Sequence, residues 1–212
     1  MTEHIYTYDN PPSQKDLSLS CSVLSADGVI AYPTDINWAF GCDSTNTRAI
    51  DKIRLLKPYH PKEHPFSLIC SSISMASEYV NISHNTYRYL RKMWPGPYTV
   101  ILQRSRNLVR QLNDKRKVVG IRIPQSPLLM ALVEKLGRPL ITTSIPNAKD
   151  GSSIKFGHQI YETYKNRLDL ILDLGVELSG EESTVVDFSQ GDSSPPIIVR
   201  EGAGSVEDVF GI

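Results

Sequence analysis

What this chain has too little of narrows the field first. Hydrophobic residues make up 40% of its 212 residues, yet no segment approaches the roughly 20 consecutive apolar positions a membrane helix needs. No membrane partner is expected. The opening residues, Met1-Thr2-Glu3-His4-Ile5-Tyr6, carry neither a basic flank nor an apolar run, so no signal peptide is expected. Cysteine is scarce, with Cys21, Cys42 and Cys70 the three present. They cannot all pair and none forms a C-x-x-C, which fits free thiols in a reducing cytoplasm, each packed as a small apolar residue. Net charge is also missing: Lys plus Arg equals Asp plus Glu at 23 each. Overall charge therefore selects no polyanionic partner.

Several catalytic signatures are absent as well. There is no G-x-x-x-x-G-K-[ST], hence no P-loop, and Gly202-Ala203-Gly204 lacks the third glycine of a dinucleotide fingerprint. His60 and His64 have the spacing of a helical metal pair, but Pro61 and Pro65 oppose a helix there, and no metal site is expected. No G-x-S-x-G elbow occurs.

What is present alternates between strand and helix. A strand is expected near 4–8, then a helix from Ser13 to about Ala26 with Leu17, Cys21 and Leu24 on one face. Val29-Ile30-Ala31 reads as a core strand. Thr45 or Asn46 caps the next helix, whose Ala49, Ile50, Ile53 and Leu56 repeat at helical spacing until Lys57-Pro58 stops it. Further strands are expected at Phe66–Cys70, Tyr98–Gln103, 118–123, 139–143, 169–173, 184–188 and 196–200. Helices are expected near 72–79, 84–93 behind Ser83, from Ser126-Pro127 to Gly137, at 158–166, and after Ser205, with a basic helical turn near 106–112. The whole reads as one α/β domain over 1–212, core about 14–211, with a twisted mixed sheet flanked by helices.

The stretch Gly28–Asp43 is the most telling. An apolar strand is expected to break at Pro33, followed by a polar triplet, two aromatics, a glycine and then a new helix. A core strand does not need Thr34-Asp35-Ile36-Asn37-Trp38, and ligands bind where a central strand stops; a capped turn would look the same. Other polar residues also stand at strand ends: Arg122, Thr142, Thr143, Ser144, Ser183, Thr184 and Arg200, with Lys57 and Lys62 in the loop after the second helix. Hydroxyls and cations converging at one sheet edge suit a phosphate-bearing ligand, with Arg as a fork and Lys as a point charge. Read singly, each is equally an ion-pair partner or a cap.

Charge is unevenly distributed. Arg88 to Lys117 holds nine basic residues against one acid, while Asp169 to Asp192 holds seven acids and no Lys or Arg. The first run permits a basic patch, or a solvated helix face.

These residues resemble a known family, the YrdC/YciO group of threonylcarbamoyl-adenylate synthases. Tyr32-Pro33-Thr34-Asp35 with Phe40-Gly41-Cys42-Asp43 is similar to its P-T-D-T-x-Y-G-L-G block. Trp94-Pro95-Gly96-Pro97-Tyr98-Thr99 resembles P-G-P-x-T, and Gly120-Ile121-Arg122-Ile123-Pro124 resembles V-R-x-P. Glu182-Ser183-Thr184-Val185-Val186-Asp187 and Val199-Arg200-Glu201-Gly202 resemble E-S-T-x-x-D and R-E-G. The run Lys115 to Arg122 looks closer to the YciO branch.

The resemblance implies a YrdC/RibB-type α/β fold, a type linked to double-stranded RNA binding, with a concave, positively charged face. It implies a nucleotidyltransferase that joins L-threonine, bicarbonate and ATP, with Mg, into threonylcarbamoyl-adenylate and pyrophosphate for tRNA modification. By resemblance Lys57, Ser144 and Arg200 contact the nucleotide, while Thr34, Arg122, Thr142 and Ser183 surround the amino acid and its carbamate. Three departures stand out. The family's K-x-R is Lys57-Pro58-Tyr59, the second threonine of P-T-D-T is Ile36, and S-x-N is Ser144-Ile145-Pro146 with Asn147 displaced by one. Lys62 or Asn147 would then substitute for the lost contacts. A second reading stays open beside the enzyme: a non-catalytic module that binds tRNA or double-stranded RNA through the basic run, here Arg104, Arg106, Arg110, Lys115, Arg116 and Lys117.

Overall fold

Helices begin where the sequence supplies an oxygen for an orphan amide. In the computed structural model, which describes residues 2–57, 66–105, 117–148 and 151–211, Ser13 accepts from the amide of Asp16 and opens α1 (Gln14–Ser25). Asn46, not Thr45, accepts from Ala49 and opens α2 (Thr47–Leu56). Ser72 and Ser83 do the same for α3 (Ile73–Tyr79) and α4 (His84–Met93). Ser126 opens α5 (Pro127–Leu136), which Gly137 closes in the left-handed region at φ 72°. The remaining helices are α6 (Gly157–Tyr164) and α7 (Val206–Phe210), the latter capped by Ser205. Each side-chain cap contributes about 1 kcal/mol.

The strands are β1 (Glu3–Tyr6), β2 (Ile30–Pro33), β3 (Trp38–Asp43), β4 (Ser67–Ile69), β5 (Tyr98–Gln103), β6 (Val118–Arg122), β7 (Leu140–Ser144), β8 (Leu170–Asp173), β9 (Thr184–Asp187) and β10 (Ile197–Arg200). They form one ten-stranded sheet in the order β1-β8-β2-β3-β7-β4-β6-β5-β9-β10. It is mixed: β8 runs parallel to β1 and β2, β4 to β6 and β9 to β5, while β2-β3-β7-β4, β6-β5 and β9-β10 are antiparallel. Among the described residues no helix is long and apolar enough to cross a membrane. Cys21, Cys42 and Cys70 are free thiols, the last two buried.

The stretch 28–43 departs from the sequence expectation. Pro33 does not end the ladder, because it stands opposite Trp38 across a hairpin. Thr34 to Asn37 is the connecting turn, closed by the Thr34 amide on the Asn37 carbonyl at 2.8 Å. Beyond the turn the chain forms a strand that was not expected, and the expected helix, α2, follows it. Trp38, Phe40 and Cys42 point to one side and pack in the larger core, a period of two that the glycine at 41 obscures. Gly41 is there for space: a Cβ at this position would lie 2.4 Å from the Tyr32 ring.

The two sides of the sheet are covered unequally. One side packs Phe40, Leu68, Val100, Ile121 and Ile171 against α2, α3, α4, α6 and α7. The other packs Ile30, Tyr32, Ile69, Leu140 and Leu170 against α1 and α5, with Met75 of α3 at its margin. Among the described residues no helix therefore covers that side of the strands β4, β6, β5, β9 and β10, and there the cavity lies.

Candidate functional site

Strand alternation assembles this cavity. Thr142 and Ser144 of β7, Ser67 and Ile69 of β4, Gly120 and Arg122 of β6, and Thr99 and Ile101 of β5 all line it, two residues apart on each strand. Register brings them level: Ser67 stands between Thr142 and Gly120, and Gly120 stands opposite Ile101. The polar residues do not meet at a sheet edge, as their strand-end positions suggested. They meet on one face, because period two sends alternate side chains to the same side. The cavity measures about 840 Å³, within the range of small-molecule sites. A Cβ at Gly120 would come within 2.7 Å of Ser67 Oγ and 3.1 Å of Thr99 Cγ2, so the glycine keeps the floor deep.

Among the described residues three cations stand around the cavity with two carboxylates. Arg122 is 6% exposed and pairs with Asp35 at 2.5 Å. Its Nε is buried with no hydrogen-bond partner. Burial pulls this guanidinium below its ordinary value, opposed by Asp35, while nearby Arg200 pulls the same way as burial. Arg200 donates to Glu182 at 2.7 Å and, from Nε and Nη2, to the Ser183 carbonyl at 3.1 and 2.8 Å. Lys57, at the end of α2, donates to Thr143 Oγ1 at 3.0 Å and the Ser144 carbonyl at 2.9 Å. It has no carboxylate partner among the described residues. Burial lowers its ammonium below the ordinary lysine range, with Glu182 acting against that.

The hydroxyls are mostly committed to the protein itself. Thr34 Oγ1 donates to the Asn37 carbonyl at 2.7 Å and accepts from the amides of Ile36 and Asn37, so it both shapes the turn and lines the cavity. Thr142 Oγ1 accepts from Tyr32 at 2.7 Å and donates to the Phe40 carbonyl. Ser183 Oγ shares a hydrogen bond with Thr99 at 2.9 Å. The cap and turn readings of these residues hold alongside the cavity, since one hydroxyl can fix a strand end and still face solvent space.

All the predicted small-molecule residues within the described segments therefore share one cavity: Thr34, Lys57, Arg122, Thr142, Ser144, Ser183 and Arg200. Asn147, raised as a substitute, joins them; Lys62 lies outside the described residues. Asn37, Ser67, Thr99, Gly120 and Glu182 also line it and were not singled out from sequence. A period-two count would have flagged Ser67, Thr99 and Gly120 as small or polar positions alternating with buried apolar ones. The predicted RNA set fares differently. Arg104 is 7% exposed, donates to the Val118 carbonyl at 3.0 Å and bridges to Val80 beside β5. Lys117 is exposed, and Arg106, Arg110, Lys115 and Arg116 lie outside the described residues.

Fold and cavity together define an α/β protein built on one mixed sheet, one face of which holds a cluster of cations and hydroxyls. The profile of the Sua5/yciO/yrdC family, described as "Telomere recombination", matches residues 22–202. YciO of Escherichia coli is 31% identical over 98% of both chains, and its crystal structure superposes with a TM-score of 0.85 over 99% of each. The threonylcarbamoyl-AMP synthase of Psychromonas ingrahamii is 31% identical over 84% of this chain and 95% of its own. A structure of P. abyssi Sua5 complexed with L-threonine matches at TM-score 0.83 and 22% identity, over 100% of this chain and 61% of that one, a likeness of fold. The chain belongs to the Sua5/YciO/YrdC family.

Proposed function

We propose that the face holding this cavity binds ATP beside an amino acid and forms an adenylate of the threonylcarbamoyl type. The observation that carries this reading is the gathering of Lys57, Arg122 and Arg200 with the hydroxyl-bearing strand ends around one cavity of about 840 Å³. Among the described residues cations exceed carboxylates there by one, which favours an anionic ligand. The threonylcarbamoyl-AMP synthase relative and the L-threonine held by P. abyssi Sua5 point to the same chemistry.

In the reaction the amino nitrogen takes up bicarbonate to give a carbamate and water. A carbamate oxygen then attacks the α-phosphate of ATP, and pyrophosphate leaves. This chain's residues would position and neutralise. Lys57 and Arg200 face the phosphates, and Arg122, fixed by Asp35, faces the carboxylates of the carbamoylated amino acid. Holding the two anions in one low-dielectric site removes their encounter cost and stabilises the charge that develops at phosphorus. Mg accompanies the nucleotide. Among the described residues no three His, Cys, Asp or Glu side chains cluster for a metal, and Asp35 and Glu182 are each tied to an arginine. That donor set fits a cation carried mainly by substrate phosphates.

The test is purified protein with ATP, Mg, bicarbonate and each amino acid in turn, with mass analysis and a pyrophosphate assay as readouts. The reading expects pyrophosphate that requires both bicarbonate and an amino acid. Pyrophosphate release indifferent to both, or none with any amino acid, would overturn it.

A further inference from the structure

A second cavity, of about 550 Å³, lies between α4 and the connection from β9 to β10, and shares no lining residue with the first. Asn85, Arg88 and Lys92 line it from α4, three and four residues apart, which places them along one side of the helix. Opposite stand Asp192, Pro195 and Pro196, and Tyr89, half-buried, lines the cleft with its ring 5.5 Å from that of the buried Phe188.

The charges are poised for an anion with a ring attached. Arg88 is exposed and makes no hydrogen bond or ion pair among the described residues. Lys92 donates only to the Val209 carbonyl, at 3.1 Å, so neither cation is neutralised. Asp192 is held by Ser83 through one carboxylate oxygen, at 2.6 Å, which leaves the other for a donor. On the same helix Arg91 is exposed and Tyr87 is 41% exposed, so the cleft continues into a surface of alternating cations and rings.

We propose that this cleft docks a nucleotide of single-stranded RNA, a site separate from the concave cavity. The phosphate sits against Arg88 and Lys92, and the base stacks on Tyr89 and the adjoining proline surface, a contact that any base makes through its π-face. Asn85 and the spare Asp192 oxygen face the base edge, where a carboxylate accepts from an exocyclic amino group such as that of cytosine. A duplex keeps its bases stacked inside and offers no single ring to such a cleft. An acidic peptide would use the cations but would leave Tyr89 and the proline surface idle.

The test is fluorescence anisotropy with a short labelled oligocytidylate at several salt concentrations, on the full chain. Arg88→Glu is expected to weaken binding about tenfold and to lower the slope of log K against log salt by about one. Arg88 is exposed, so the fold should survive; Arg88→Gln gives a milder check. Lys57→Ala, in the other cavity, should leave RNA affinity unchanged, and ultraviolet cross-links should fall on Tyr89. RNA affinity indifferent to Arg88→Glu would overturn the proposal. So would a loss confined to Lys57→Ala, which would move RNA to the concave face. Displacement by polyglutamate as effective as by unlabelled RNA would make the cleft an acidic-peptide site.

Discussion

Asp35→Ala removes the counter-charge of a guanidinium that has almost no access to water. The Arg122 and Asp35 side chains are 8% and 11% exposed and 2.5 Å apart, and Arg122 Nε already lacks a partner. Breaking a buried pair from one side costs about 3–5 kcal/mol, because the remaining charge keeps its desolvation penalty without its attraction. For 212 residues, a urea slope of roughly 2–3 kcal/mol/M turns that into a midpoint about 1–2.5 M lower. Trp38 and Trp94, the chain's two tryptophans, are 2% and 6% exposed and report the transition by fluorescence. The double variant Asp35→Ala with Arg122→Met should recover much of the loss, since a buried apolar pair carries no ionic desolvation cost. A small carboxylate ligand should also stabilise Asp35→Ala more than the parent protein, because it restores an anion beside Arg122. A midpoint that moves by less than about 0.3 M, or a double variant that loses the sum of the single losses, would refute the reasoning.

The same charges set two further outcomes. Lys57→Ala should weaken ATP binding by about one to two decades, the range of a charge-assisted hydrogen bond. The protonated ammonium is the binding form and burial lowers its pKa. Affinity should therefore be full below that lowered value and fall as pH rises through it, earlier than an exposed lysine near 10.4 would allow; calorimetry across pH checks this, with Lys57→Arg abolishing the fall. The third concerns Asp43, 2% exposed. Burial alone would raise its carboxyl, but hydrogen bonds from Arg138 and Thr45 outweigh burial and hold it below the usual range. Its contribution to stability is present above the unfolded carboxylate value near 3.9 and is lost as pH falls through the depressed folded value. Asp43→Asn should flatten that part of the acid-unfolding curve.

How much was legible in sequence depends on the range of the interaction that decides each feature. Helix starts are local: Ser13, Ser83, Ser126 and Ser205 each satisfy an amide three residues on, so side-chain chemistry alone marks them. Strand Tyr98–Gln103 alternates buried and less buried positions within six residues, and its bounds are those expected. Trp38–Asp43 escaped because Pro33 and Gly41 carry breaker signals that partners across the sheet override. Pro33 needs no amide at the end of its strand, and Gly41 yields its side-chain volume to Tyr32. Arg104, expected in a basic run, is buried and donates to a carbonyl fourteen residues further along, a pairing no local pattern announces.

The alternation of elements, their caps and the residue types at strand ends rest on contacts within a few positions, so the chain alone dictates them. Folding in three dimensions put Thr34, Lys57, Arg122, Thr142, Ser144, Ser183 and Arg200 on a face and not at an edge. That outcome comes from strand order and register, which bring β6 beside both β4 and β5 and set Gly120 level with Ser67. The folded arrangement also fixed which cations are committed: Arg122 to Asp35 and Arg200 to Glu182, with Lys57 and Arg88 left without a carboxylate among the described residues. Charge counts are written in the chain, but pairing depends on distance, and only the folded chain fixes distance.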